Sequence, residues 1–328
     1  MQLDGHDRSE PMRVAVLGGG VGGAKLADGL QAVLPHGALA VIVNTGDDLV
    51  LHGLHVSPDL DTVMYTLAGE ANPATGWGLR DETWSAAALL ERYGAETWFR
   101  LGDRDLATHV VRTARLAGGA TLTEATRDLA AALGVPSRVL PMSDAPVRTR
   151  LRTDVGWLDF QDYFVRRRHA DDVREVVFEG AARARPTTLV LDAIAGAALI
   201  AIAPSNPFVS VGTILAVPCI LDALLAAPAP VVAVSPIVAG AALRGPADRM
   251  FVTLGGEPSA LGVARHYVER YPGLVDGLVI DRRDRAQSSA IEALGIRVRA
   301  AETVMIDERT RAALAREVLA LGERLAGC

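Results

Sequence analysis

The sequence predicts an α/β protein whose core is a doubly wound, mostly parallel sheet, with one smaller subdomain inserted into it. Three observations carry this. Short apolar runs alternate with stretches of helical periodicity along most of the 328 residues. Several of those runs end in small polar residues, as the ligand-facing strand ends of open α/β sheets do. The alternation breaks once, at about 143–185, which marks the insertion.

In chain order, residues 1–11 are polar, carry Asp4, Asp7 and Glu10, and read as a flexible tail with no signal-peptide core. Residues 12–328 then read as a single α/β domain. Residues 13–17 form a β-rich run that enters Gly18-Gly19-Gly20-Val21-Gly22-Gly23, and helical periodicity follows over 24–33. A glycine turn between strand and helix lets the backbone approach a phosphate, with the helix-start amides aimed at it. Gly19, Gly20, Gly22 and Gly23 are therefore candidate phosphate contacts. Lys25, the only lysine in the chain, stands in the first turn where its ammonium would reach the same anion. The spacing also matches G-x-G-x-x-G, but a nicotinamide-binding sheet wants an acid at the tip of its second strand, and here that tip is Asn44-Thr45-Gly46.

The second apolar run, 41–43, leads through that tip to Asp47 and Asp48. Ser57-Pro58-Asp59-Leu60-Asp61 then has the form of a helix start, with a capping hydroxyl, a proline in the first turn and acids where the dipole favours them. Dipole compensation alone is one reading of Asp59. Asp47, Asp48 and Asp61 point further, because hard oxygen ligands at a strand end suit magnesium held between protein and phosphate.

Asp81 is expected to cap a helix running to Arg92, and the charged turn at 100–105 to open another over 106–116, with Arg100 and Arg104 placed to meet an anionic substrate. Residues 125–133 continue the helical pattern, and 139–144 end a strand in Ser143-Asp144. The alternation over 147–160 suggests an antiparallel hairpin, followed by aromatics and Arg166-Arg167-Arg168. Beyond Thr187, strands are expected to end at Ala203-Pro204-Ser205-Asn206 and at Ser235, then to occupy 277–280 and 297–300, with helices at 220–226, 260–270, 286–294 and 307–326. Ser205 and Asn206 join the crevice as candidate nucleotide contacts.

Composition narrows the function classes. A net charge of −6 argues against general nucleic-acid binding, which needs a basic face. The apolar stretch 193–203 is too short to span a bilayer. Two cysteines, Cys219 and Cys328, have no metal-ligand spacing and form no disulfide framework, so a cytoplasmic location is expected.

Taken together, the glycine turn, NTGDD at Asn44, SPDLDT at Ser57, LGDRDLATH at Leu101, PMSDAPV at Pro141, FQDYFV at Phe160, APSNP at Ala203 and VSPIVAG at Val234 resemble the 2-phospho-L-lactate transferase family over the chain from Arg13 to its last helix. That resemblance implies a Rossmann-like fold, a homodimer and a step in coenzyme F-420 biosynthesis. A phospholactyl-type or enolpyruvyl phosphate group would pass from a guanosine diphosphate-linked donor to the ribityl hydroxyl of the deazaflavin precursor, releasing GMP. The resemblance implies magnesium as cofactor, which the acids would hold through Asp48 and Asp61. Asp61 would also orient or deprotonate the hydroxyl, and Arg100 would belong to the deazaflavin site. An NAD-dependent oxidoreductase and a non-catalytic nucleotide-binding regulator are the alternative readings.

Overall fold

The computed structural model describes residues 12–327; the expected tail lies outside them. Seven strands form the central sheet: β1 (Val14–Gly18), β2 (Leu39–Val43), β3 (Arg138–Pro141), β4 (Leu199–Ile202), β5 (Val231–Val234), β6 (Gly277–Asp281) and β7 (Arg297–Ala301). Their order is β7-β6-β5-β4-β1-β2-β3, and every neighbouring pair is parallel. Strands covered on both faces read as unbroken apolar runs, and β1, β2, β4, β5 and β6 are buried along their whole length. The order reverses between β1 and β4. At such a switch point the turns leaving the two strands diverge and open a crevice.

Alternation along each strand divides the core into two layers. Val14 and Val16 face the helices α1 (Gly20–Val33), α2 (Pro58–Leu67) and α4 (Glu308–Ala326), whereas Ala15 and Leu17 face the opposite layer, which includes helices at Thr188–Ala195 and Ala260–Arg270. Before α4 in sequence, α3 (Asp103–Ala117) leans on the short hairpin strand Leu54–Val56.

The 143–185 segment holds a three-stranded antiparallel sheet, ordered Gly156–Asp159, Arg148–Thr153, Val173–Glu179. The third strand was not expected, because its sequence VREVVFE places charges where an alternating apolar face would be read. Its small core of Leu151, Phe160, Tyr163 and Val173 borrows Val209 and Met250 from the main body. Two residues of the arginine run are taken up in contacts: Arg166 lies 4.5 Å over Trp98 and pairs with Glu96, and Arg167 pairs with Asp171 at 2.6 Å.

Several boundaries shift. α1 begins at Gly20, so most of the expected glycine turn is already helix. The helix expected from Asp81 begins at Ser85, because Asp81 itself takes a left-handed φ of +55. The expected 286–294 helix is a 3-10 turn, Arg282–Gln287, followed by Ser288–Glu292. Helices at Thr188–Ala195 and Ala247–Thr253 were not foreseen. Among the described residues no single helix is long and apolar enough to cross a membrane.

Candidate active site

At the switch point the two turns are packed backbone to backbone. A Cβ at Gly22 would come within 2.5 Å of the Pro204 carbonyl, and one at Gly23 within 3.0 Å of Ser205 Oγ. Ser205 Oγ accepts a hydrogen bond from Gly19 N (3.1 Å) and donates to Gly19 O (2.9 Å), which joins the end of β1 to the end of β4. The hydroxyl expected to contact nucleotide is therefore spent on the backbone. Asn206 is similarly engaged: its Oδ1 accepts from Phe208 N (2.9 Å) and Val209 N (3.4 Å), and its Nδ2 reaches Met250 Sδ.

The glycines also meet an anion that belongs to the chain. A side chain at Gly19 would fall on the Asp59 carboxylate, and the Gly20 backbone hydrogen-bonds that carboxylate from a left-handed φ of +62. Asn44 Nδ2 donates to Asp59 Oδ2 at 3.0 Å, while its Oδ1 accepts from Gly46 N at 2.8 Å. The Gly20 backbone, expected to hold phosphate, thus holds Asp59. Lys25 is also elsewhere: its Nζ donates to the Met305 carbonyl at 2.7 Å, and burial, with Arg311 and Arg244 nearby, lowers its pKa. It ties α1 to the approach of α4.

Asp47, Asp48 and Asp59 form one electrostatically strained group. Burial, then repulsion from Asp59 and Asp48, pushes the Asp47 carboxyl well above its ordinary range. Burial raises Asp48 as well, against hydrogen bonds from His55 Nε2 (3.0 Å) and Ser57 Oγ (2.7 Å) to its Oδ2. Asp59 is pushed up to about 6 by burial, with Asn44 opposing and Asp48 adding repulsion. Oδ1 of Asp47 and Oδ1 of Asp48 are buried without a hydrogen-bond partner. A buried, unpaired carboxylate oxygen is costly, and a divalent cation bound by oxygen would satisfy both. These residues therefore fit magnesium.

Asp61, expected as a magnesium ligand, is placed differently. Arg112 holds both of its oxygens, Nη1 to Oδ2 at 3.1 Å and Nη2 to Oδ1 in a shorter contact. The carboxylate oxygens without a partner belong to Asp47 and Asp48, while Asp61 forms with Asp105 and His109 a second group, one ligand atom from each lying within 4.8 Å of the others. Arg100 is exposed, with its guanidinium 4.3 Å from the centre of the Trp84 ring, and among the described residues no hydrogen bond or ion pair links it to Asp61. Arg104, also expected to face substrate, bonds the Arg80 carbonyl at 2.6 Å and pairs with Glu70.

Sequence reasoning passed over Arg112, which is fully buried, and its neighbours His109, Asp105 and Tyr65. Periodicity held the signal: 61 and 65 share one face of α2, and 105, 109 and 112 share one face of α3. Two residues of the insertion also reach the acid turn. Gln161 Nε2 donates to the Asp47 carbonyl at 3.1 Å, and Thr149 N to the Gly46 carbonyl at 2.8 Å.

A Rossmann-like sheet with buried carboxylates gathered beside the glycine turn at its switch point is the layout of an enzyme that transfers charged groups. The family model described as 2-phospho-L-lactate transferase CofD matches residues 14–321, and the chain belongs to that transferase family. It shares 47% identity with the phosphoenolpyruvate transferase of Kitasatospora aureofaciens, covering 96% of this chain and 99% of the relative. Identity is 43% with the phosphoenolpyruvate transferase of Mycobacterium avium, over 96% of this chain and 99% of the relative. It is 39% with the 2-phospho-L-lactate transferase of Methanosarcina acetivorans, over 93% and 98%. Among solved structures, a UPF0052 family protein from Bacillus halodurans has the same fold, with a TM-score of 0.67 at 16% identity over 94% of this chain and 99% of that one.

Proposed function

We propose that this enzyme moves an enolpyruvyl phosphate group from a guanosine diphosphate-linked donor to the ribityl hydroxyl of 7,8-didemethyl-8-hydroxy-5-deazariboflavin. The hydroxyl oxygen forms a bond to the phosphorus that carries the enolpyruvyl group. The bond from that phosphorus to the bridging oxygen breaks, and GMP leaves with the oxygen. The observation that carries this reading is the pair of unpartnered oxygens on Asp47 and Asp48 beside Asp59 at the switch point. The choice of enolpyruvyl over phospholactyl rests on 43–47% identity with two phosphoenolpyruvate transferases against 39% with a 2-phospho-L-lactate transferase.

In this reading Asp48 and Asp47 hold magnesium, which when bound neutralises charge on the phosphates. The donor lies in the crevice beside the turn of Gly19, Gly20, Gly22 and Gly23. Asp61 accepts the hydrogen bond of the ribityl hydroxyl and receives its proton as the new bond forms. Arg100 belongs to the acceptor site. A cytoplasmic homodimer is proposed on family analogy, and sedimentation tests the dimer.

The test is to supply the deazaflavin with magnesium and, separately, the enolpyruvyl, phospholactyl and phosphoglyceryl forms of the donor, and to weigh the products. The enolpyruvyl phosphodiester should dominate, with one GMP released per product. Product from the phospholactyl donor alone would overturn the donor assignment, and no product from any of the three would overturn the function.

A further inference from the structure

α2 and α3 meet through a chain of buried polar groups that runs away from Asp61. Tyr65 OH donates to Asp105 Oδ1 at 2.7 Å. The other oxygen of Asp105 lies 3.3 Å from His109 Nε2. His109 Nδ1 lies 3.3 Å from Arg112 Nη1, and Arg112 closes the circuit on Asp61. Because a guanidinium only donates, Nδ1 of His109 must accept, which leaves the ring proton on Nε2, close to Asp105 but without a well-aligned hydrogen bond to it. The geometry thus selects a tautomer.

The arrangement is expensive for a purely structural contact. Tyr65, His109 and Arg112 are almost wholly buried, and replacing a buried ionic group by apolar side chains of similar volume is often neutral or stabilising. Its distinguishing property is directional. Two parallel bonds from a planar guanidinium fix the plane of the Asp61 carboxylate, which a single ammonium cannot do. Arg112 is in turn braced by His109, which lies against Asp105, and Asp105 is held by Tyr65.

We propose that Arg112, set by His109, Asp105 and Tyr65, is the positioning residue that fixes the Asp61 carboxylate for the acceptor hydroxyl. This rests on the role given to Asp61 above. Misplacing a reacting group by about 1 Å costs on the order of a hundredfold in rate, so the effect falls on turnover while substrate affinity is kept.

The experiment measures kcat, KM for both substrates and melting temperature for Arg112→Lys, Tyr65→Phe, Asp61→Asn and the double variant Arg112→Lys/Asp61→Asn. Arg112→Lys should lower kcat by at least about tenfold and leave both KM values within about twofold. Tyr65→Phe, which removes one hydroxyl and keeps the ring, should lower kcat by about threefold, and it decides the matter if the lysine variant does not fold. Because Arg112 acts through Asp61, the double variant should turn over no more slowly than Asp61→Asn alone.

A lower melting temperature with unchanged kcat in the folded single variants, or losses that multiply in the double variant, would overturn the proposal. Near-normal turnover by Asp61→Asn would instead overturn the role of Asp61, and the positioning role with it.

Discussion

Asp47 has three disadvantages at once: it is buried, it neighbours Asp48 and Asp59, and its Oδ1 has no partner. A carboxyl whose folded pKa is raised destabilises the fold above that pKa and ceases to do so as pH falls through it. For Asp59, raised to about 6 from 3.8, the penalty is full above about pH 6 and fades towards pH 4. Magnesium-free enzyme should therefore melt at a higher temperature at pH 5 than at pH 7, and magnesium should remove the difference. Asp47→Asn should raise the magnesium-free melting temperature at pH 7 by about 2–4 °C for each kcal/mol relieved, abolish the response to magnesium and stop transfer. A melting temperature that falls in this variant would mean that Asp47 is held by contacts worth more than the repulsion it suffers.

Among the elements, the start of α1 shows how backbone packing can displace side-chain chemistry. Gly22 is needed because Pro204 O lies 2.5 Å from where its Cβ would stand. Gly22→Ala should destabilise the fold by about 1–3 kcal/mol as the two turns are forced apart, and thermal melting reads this directly. Lys25 one turn later bonds Met305 O. Its replacement by alanine should cost about 1 kcal/mol of stability while guanine-nucleotide affinity stays within about twofold by titration calorimetry. A tenfold loss of affinity at unchanged stability would return Lys25 to the phosphate. The acids opening α3 have an equally local explanation. Asp103 accepts from Ser85 N (3.0 Å) and Ala86 N (2.9 Å), and Glu82 accepts from Arg104 N and Asp105 N (both 2.8 Å), so two helix starts cap each other.

For the whole molecule, the main question is how the insertion is coupled to the site. Its antiparallel sheet shares Val209 and Met250 with the main body and reaches the acid turn through Thr149 N and Gln161 Nε2. Removing the second link with Gln161→Ala should cost about 1 kcal/mol. It should speed amide hydrogen exchange across 148–179 and leave β1, β2 and β4 unchanged. Equal acceleration in both regions would mean that the insertion and the main sheet open as one unit.

Local pattern was enough for the doubly wound sheet, since apolar runs such as VAVL at 14–17 and LIAI at 199–202 can satisfy their backbones and bury both faces only in a covered parallel sheet. The NTGDD and SPDLDT motifs likewise marked the acid group, because strand ends and helix starts place short-range neighbours predictably. Partner choice was beyond that reach. Whether Asp61 meets a cation from solution or Arg112, 51 residues away, depends on the facing of α2 and α3. The same holds for Ser205, whose hydroxyl is used by Gly19 at a separation of 186 residues, and for Asp59, which takes the Gly20 backbone hydrogen bond. Each of these pairings is decided by how helices and turns distant in sequence pack over one crevice, where a buried polar group takes the nearest partner that the tertiary structure supplies.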